Sequence, residues 1–403
     1  MTATWAQAAL WLGLALVATL LSIWLRVATA MSEIVVGAIA QLLIGAFVGG
    51  AALGVGESWV TFLAGTGAIV LTFLAGAELD PRVLRRKWKE ASAIGLVSFA
   101  APFLGCTAVA YWILGWSVPA SWLAGIAMST TSVAVVYAVM LEFGFNATDY
   151  GKTVLAACFI TDLATVLALG FIFAPFTLKT LLFFGACGVA AVVLPWLTPR
   201  FFKRFGGRPS ELEAKYLMFM LFGLGALATW ADSEAVLPAY LMGMVLAGTV
   251  GKDHALVRRL RTLTFGLLTP FYFIRAGSLV SLPALVAAPF AFIVLLLAKM
   301  ATKIAGVYPV ARAYKSPRQE AAYTTLLMST GLTFGTISAL FGLSHKVIDQ
   351  AQYSYLVAAV IGSAVIPTLI ANAFFLPRHL LPERVEAEGA AGVTAAAAVR
   401  AEP

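Results

Sequence analysis

The sequence predicts an all-α polytopic membrane protein of about thirteen transmembrane helices in two inverted six-helix repeats, and three observations carry that expectation. Of its 403 residues, 61% are hydrophobic and 11% charged, with a mean hydropathy of +0.92. That is more apolar surface than a soluble core of this length hides. The apolar residues come in runs of about 20 without period-two alternation, and in hydrocarbon such runs satisfy their backbone groups as helices rather than barrel strands. Short motifs also recur in the same order in the two halves: AIAQLLIGAFVGG and AYLMGMVLAG, FLAGAEL and FIRAGSL, MSTTSV and MSTGLT.

Charge clusters, prolines and glycines place the spans at approximately 4–25, 33–54, 58–79, 90–114, 119–140, 150–174, 177–204, 211–230, 235–250, 262–281, 283–311, 317–343 and 348–376. The first run has no Lys or Arg before it, and Arg26 follows it, so it reads as a membrane helix rather than a signal peptide. Loops on one side then collect Arg26; Arg82, Arg85, Arg86, Lys87 and Lys89; Lys152; Arg200, Lys203, Arg204 and Arg208; Lys252, Arg258, Arg259 and Arg261; Arg312, Lys315 and Arg318; and Arg378 and Arg384. The opposite loops hold only Lys179 and Lys346. The positive-inside rule therefore puts the N-terminus outside and the C-terminus inside. The net charge of +8 is a topology signal spread over short loops, so the partner it implies is a lipid bilayer and not nucleic acid.

Repeat one spans about 4–174, a linker helix about 177–204 and repeat two about 211–376, which begins on the opposite side of the membrane. Residues 1–376 form the transmembrane domain. Residues 377–403, acidic and Ala-rich after Pro382, are expected to be a disordered cytoplasmic tail with no regulatory domain attached. Cys106, Cys158 and Cys187 sit singly in apolar runs and are expected to be small core residues.

Function is expected where polar groups interrupt the apolar spans. Ser129, Thr130, Thr131 and Ser132 interrupt the fifth span, and Ser329, Thr330, Gly331 and Thr333 interrupt the twelfth. Such residues permit a membrane helix to unwind and expose carbonyls and half-helix ends, the material of an ion site at a repeat interface. Asp162, about ten residues into the sixth span, is placed near mid-membrane and is the one acid expected at that depth. One carboxylate cannot hold a proton and a cation together, so it suits exchange of the two, with Thr161 available as an additional oxygen. Lys299 and Lys303 share a face of the eleventh span. Lys303 is either a counter-ion to Asp162 or a second titrating group, and Lys299 either snorkels or faces a cavity. Arg275, mid-span and permanently charged, reads as structural, and Glu78 near the inner end of the third span is a shallower candidate.

These residues resemble the monovalent cation/proton antiporter superfamily of the sodium/hydrogen exchanger fold, in its bacterial Kef-like branch. LTFLAGAELDPRVLRR, MSTTSVAVV, CFITDLATV, PAYLMGMVLAG, TPFYFIRAGSLV, KIAGVYPVAR and SAVIPTLIAN carry the resemblance, in family order, up to about residue 376. It implies a homodimer, with spans such as 1, 2, 8 and 9 in the dimerisation domain and spans 5 and 12 crossed and partly unwound in a core that moves like an elevator. It implies that Asp162 binds the cation, Na⁺, Li⁺ or K⁺, in exchange for H⁺, and that Lys303 matches the lysine of the eleventh helix, with Arg275 and Glu78 as further charge compensation. Many electrogenic relatives carry two adjacent acids where this chain has Thr161 and Asp162, so the expected exchange is one for one. Na⁺ is favoured, with K⁺/H⁺ efflux the alternative.

A passive channel on the same helices would need a ring of repeated carbonyls or charges, and an organic-anion transporter would bind through Arg275 and positive half-helix ends; the deep Asp162 argues against both. An enzyme and a bound cofactor are not expected, because His254, His345 and His379 lie in loops or near helix ends and form no metal triad or nucleophile-base pair.

Overall fold

The computed structural model describes residues 2–381 except 26–27, 48–52, 78–80, 146–147, 174–176, 209, 232, 234 and 315. Among the described residues every regular element is helical. Among the described residues ten helices are long and apolar enough to cross a membrane, and Val118–Ser129 and Val236–Leu246 are shorter apolar helices. Glu78 and most of the expected tail lie outside the described residues.

The chain opens with α1 (Thr2–Leu25), α2 (Thr29–Phe47) and α3 (Ser58–Ala77). Trp11 anchors α1, donating from Nε1 to Leu53 O at 2.8 Å and stacking on Phe271 at 5.3 Å. Then come α4 (Pro81–Trp112), kinked at Lys87, α5 (Val118–Ser129), α6 (Val133–Glu142) and α7 (Asp149–Phe173). Next are α8 (Leu178–Phe205), α9 (Leu212–Trp230) and α10 (Val236–Leu246). The chain continues through α11 (His254–Leu263), α12 (Thr269–Ser278), α13 (Leu282–Ala287), α14 (Pro289–Ala313), α15 (Arg318–Met328), α16 (Thr333–Ser344) and α17 (Gln350–Ile370).

The two spans expected to unwind are interrupted, and three other stretches depart from the spans or loops the sequence predicts. The expected helices at 119–140 and 317–343 are each broken, over Thr130–Ser132 and over Ser329–Leu332, where the hydroxyl and glycine clusters stand. The expected helix at 283–311 is interrupted at Ala288, which precedes Pro289 and leaves helical geometry (φ −136°, ψ 64°) as the proline ring requires. The expected helix at 262–281 opens with a π turn at Thr264–Leu268, just before Pro270, whose missing N–H loosens the ladder there. The basic loop around residues 252–261 instead contains α11, with Asp253 as its N-cap and Leu256 and Leu260 buried beneath exposed Arg258 and Arg259.

Helices α2, α3, α10 and α12 pack together, while α4 packs against α5, α7 and α14, and α16 packs against α5 and α17. The first group is held by two close crossings of one design. Gly37 of α2 lies against the Ile274 backbone and Gly277 of α12 against the Ile34 backbone; Gly76 of α3 lies against Tyr240 and Gly243 of α10 against Phe73. A Cβ at any of these four positions would run into the partner's main chain, as at small-residue contacts between membrane helices. Tyr240 joins the two groups, its hydroxyl donating to Phe159 O of α7 at 2.9 Å.

Gly277→Val is expected to destabilise the fold by roughly 1–3 kcal/mol through overpacking. Thermal unfolding of the detergent-purified variant checks this, with Gly185→Val, where open space surrounds the Cβ position, expected to behave like wild type.

Candidate functional site

The site forms where the two broken helices meet. Breaking a helix orphans the carbonyls that end one half and the N–H groups that begin the next. Here each break supplies partners to the other: Ser132 N–H donates to Thr330 O at 3.1 Å, and Thr131 Oγ1 donates to Met328 O, at the end of α15, at 2.9 Å. Ser132 Oγ accepts from Val135 N–H at 3.3 Å and so caps α6. Thr130, Ser329 and Thr330 turn their hydroxyls back to Ala127, Thr325 and Leu327 carbonyls at 2.7–3.0 Å. Half-buried Thr333 opens α16.

Lys303 of α14, fully buried, closes the end of α5. Its Nζ donates to Ser129 O at 2.8 Å, to Ser98 Oγ at 2.7 Å and to Thr131 Oγ1 at 3.1 Å. Three acceptors meet three ammonium donors, and a cation at a helix C-terminus meets the negative end of its dipole. Lys303 thus forms no ion pair with Asp162. Of the two roles the sequence left open for it, the direct counter-ion is not the one seen: its ammonium is committed to the end of α5 and two hydroxyls.

Asp162 stands on α7, 1% exposed. Its Oδ1 is buried with no hydrogen-bond partner, and among the described residues it joins no ion pair. The Thr131 amide lies close to the carboxylate. Leaving a buried carboxylate oxygen bare is costly, so a proton or a cation at this atom would relieve that cost. Neighbouring Thr161 turns away: its Oγ1 donates to Gly95 O of α4 and Ala157 O, both at 3.0 Å. Thr165, one turn on, donates to Thr161 O at 2.9 Å and touches Ser129 Oγ at 3.4 Å.

Asp162, Thr131, Ser132, Thr330 and Lys303 are therefore brought together. Arg275 is not; its Nε donates to Val55 O at 3.0 Å, beside α3. Lys299 does not snorkel. It is fully buried and donates to Ser363 Oγ of α17 at 3.1 Å. Ser98, Ser363 and Gly95 were not foreseen, since a lone serine or glycine in an apolar run carries no signal until its neighbour is known. Glu33 of α2, 3% exposed, is a second deep acid, and its position four residues into an apolar helix was legible. All three cysteines are buried and free.

The class the fold and site define is a polytopic helical membrane protein with two broken helices crossing beside a buried carboxylate. The chain matches the family described as "Sodium/hydrogen exchanger, transmembrane" over residues 12–376, and it belongs to that family, whose members are transporters and not enzymes. It is similar to the probable Na⁺/H⁺ antiporter 3 of Methanocaldococcus jannaschii, 27% identical over 55% of this chain and 59% of the relative. It is also similar to the glutathione-regulated potassium-efflux system protein KefC of Shigella flexneri, 24% identical over 91% of this chain and 60% of the relative. The chain thus spans about three-fifths of these relatives' length. The solved structure of the sodium proton antiporter MjNhaP1 from Methanocaldococcus jannaschii shares the fold, with a TM-score of 0.70 at 14% identity over 92% of this chain and 96% of that one.

Ser98→Ala removes one of the acceptors of Lys303 and leaves a buried ammonium donor unmet, which is expected to cost roughly 1–3 kcal/mol. The measurement is again thermal unfolding in detergent.

Proposed function

We propose that the protein is a secondary active antiporter that exchanges a monovalent cation for a proton at Asp162 by alternating access. The observation that carries this reading is the unpartnered, buried Oδ1 of Asp162 beside the crossing of two broken helices. The carboxylate binds either H⁺ or the cation, so each displaces the other. Thr130, Thr131, Ser132 and Thr161 stand near enough in sequence and fold to offer oxygens when the core rearranges, and Ser329, Thr330, Gly331 and Thr333 form the opposing half of the crossing. Lys303 compensates the charge of the broken ends. Arg275 lies in the surrounding frame, and Glu78 lies outside the described residues.

Na⁺ is the favoured cation, supported by the sodium-exchanger family and by the likeness to sodium antiporters; K⁺ efflux is the second reading, supported by the likeness to KefC. A single acid, with Thr161 in the adjacent position, supports one cation for one proton without net charge movement. The same reading places the chain in a bacterial cytoplasmic membrane, N-terminus outside and C-terminus inside, as a homodimer of two inverted repeats in which the core holding the crossed, broken helices moves like an elevator. Support for the orientation comes from the basic loops, and for the repeat from the paired glycine crossings.

The decisive experiment uses purified protein in liposomes with a pH-sensitive dye, an imposed proton gradient and additions of Na⁺, K⁺ or Li⁺. Cation-driven proton movement is expected with wild type and only background with Asp162→Asn; equal transport by the variant, or none by wild type with any cation, sinks the proposal. Competition at one carboxylate also fixes a sign. As pH falls, protons occupy Asp162 and the apparent KM for the cation rises, by roughly tenfold per pH unit once protonation dominates. A KM that stays flat across several pH units would exclude competition at a shared site.

A further inference from the structure

The helix that carries Asp162 meets the glycine-packed group at α10. One point of contact is apolar: the Leu237 side chain fills the space that a Cβ on Gly170 of α7 would need. The other is Tyr240, fully buried. Its hydroxyl donates to Phe159 O at 2.9 Å, a carbonyl in the turn of α7 that leads to Asp162. Its ring stands edge-on to Phe334 at 5.5 Å, one residue into α16 and just past the second break. Tyr240 is therefore a side chain of the first group that touches both the carboxylate helix and a broken helix. Three other bonds between the groups gather elsewhere, where the chain passes from α12 into α13: Tyr353 hydroxyl to Ala276 O at 2.6 Å, Ser281 N–H to Ser354 Oγ at 2.8 Å and Gln350 Nε2 to Leu279 O at 3.4 Å. There the chain itself already ties the two groups. The Tyr240 bond joins two mid-helix positions and stands apart from that seam.

We propose that Tyr240 is a positioning residue of the transport cycle: its hydroxyl latches the Asp162 helix to α10 in the state seen here, and the latch opens each time the core moves. The inference rests on the exchange reading of Asp162 and on the moving core that goes with it. A hydrogen bond is lost once donor and acceptor part by more than about 3.5 Å, whereas a slide of one helix past another by a single turn is about 5.4 Å. The contact of Leu237 with Gly170 is apolar and has no direction to lose. The hydroxyl has one, and once it leaves Phe159 O it is a bare donor in a buried place. Phe159 O loses less, because it sits in the interior of α7 and belongs to the helical ladder. The cost of opening therefore falls on the tyrosine hydroxyl, and a ring without it passes at lower cost. Tyr353 differs in both respects. It covers a carbonyl in the last turn of α12, which the helix leaves short of donors, and it does so at the seam where the chain limits displacement.

The test is Na⁺- and K⁺-driven proton movement by the full chain in liposomes, with thermal unfolding of each purified variant in detergent. Wild type is compared with Tyr240→Phe, Tyr240→Leu and Tyr353→Phe. Tyr240→Phe is expected to raise the maximal rate by about two- to tenfold, the factor that one net hydrogen bond represents, with an apparent KM within about twofold of wild type. Its melting temperature is expected to be no higher than that of wild type. Faster transport from a protein of equal or lower stability is the signature of a latch; a merely structural bond would lower stability and leave the rate equal or lower. Tyr240→Leu also lacks the hydroxyl and is expected to shift the maximal rate in the same direction. Tyr353→Phe is expected to lose stability without gaining rate. An unchanged or lower maximal rate in folded Tyr240→Phe overturns the proposal. So does a Tyr353→Phe protein that is accelerated as much, which would make loosening anywhere between the groups sufficient, and so does failure of both Tyr240 variants to fold, which would make the residue a structural prop. If wild type shows no cation-driven proton movement, the exchange reading itself falls and this inference with it, an outcome separate from a working antiporter whose rate ignores Tyr240.

Discussion

The architecture depends on satisfying two helix breaks away from water. An apolar surrounding offers no hydrogen bonds to orphaned carbonyls and amides, so a helix interrupted there must find partners within the protein. This chain solves the problem by letting the two breaks face each other, through Ser132 N–H on Thr330 O and Thr131 Oγ1 on Met328 O. It covers the remaining carbonyl, Ser129 O, with the ammonium of Lys303. Asp162 and Lys303 lie beside that crossing, where main-chain dipoles end and side-chain charges can be held.

Charge is distributed there unequally. One carboxylate and two ammonium groups are buried within a few turns of helix. Lys303 is fixed by its acceptors, and Lys299 is held by one. Asp162 keeps an oxygen free. The arrangement separates an ammonium group that maintains the breaks from a carboxylate oxygen that has no hydrogen-bond partner. The glycine crossings between α2 and α12, and between α3 and α10, bring main chains into direct contact, giving a close-packed frame beside which α4, α5, α7 and α14–α17 assemble.

The legible and the illegible parts of the sequence differ in kind. Spans announced themselves by length and apolarity, and the breaks by clusters of Ser, Thr and Gly at 129–132 and 329–333, because the tendency to unwind is local to a few residues. The interruption at Ala288 is signalled by Pro289 and the π turn at Thr264–Leu268 by Pro270, yet a single proline also fits inside a continuous membrane helix, as Pro102 does in α4. The helix α11 was masked by its arginines; only Leu256 and Leu260 spaced four apart mark its buried face. Glu33 was passed over beside the more central Asp162.

Composition, span length and the position of Asp162 within its helix followed from the sequence by itself, since each depends on residues adjacent along the chain. Which partner each buried charge takes was decided only in three dimensions. The sequence left Lys303 either opposite Asp162 or as a second titrating group, and Lys299 either at a boundary or facing a cavity; in the fold Lys303 binds Ser98, Ser129 and Thr131, and Lys299 binds Ser363. Those partners lie 64–205 residues away in sequence. The physical reason is that an ammonium in a dry core goes to whichever acceptors the packing leaves unpaired, and the unpaired carbonyls exist only once both helices have broken and crossed.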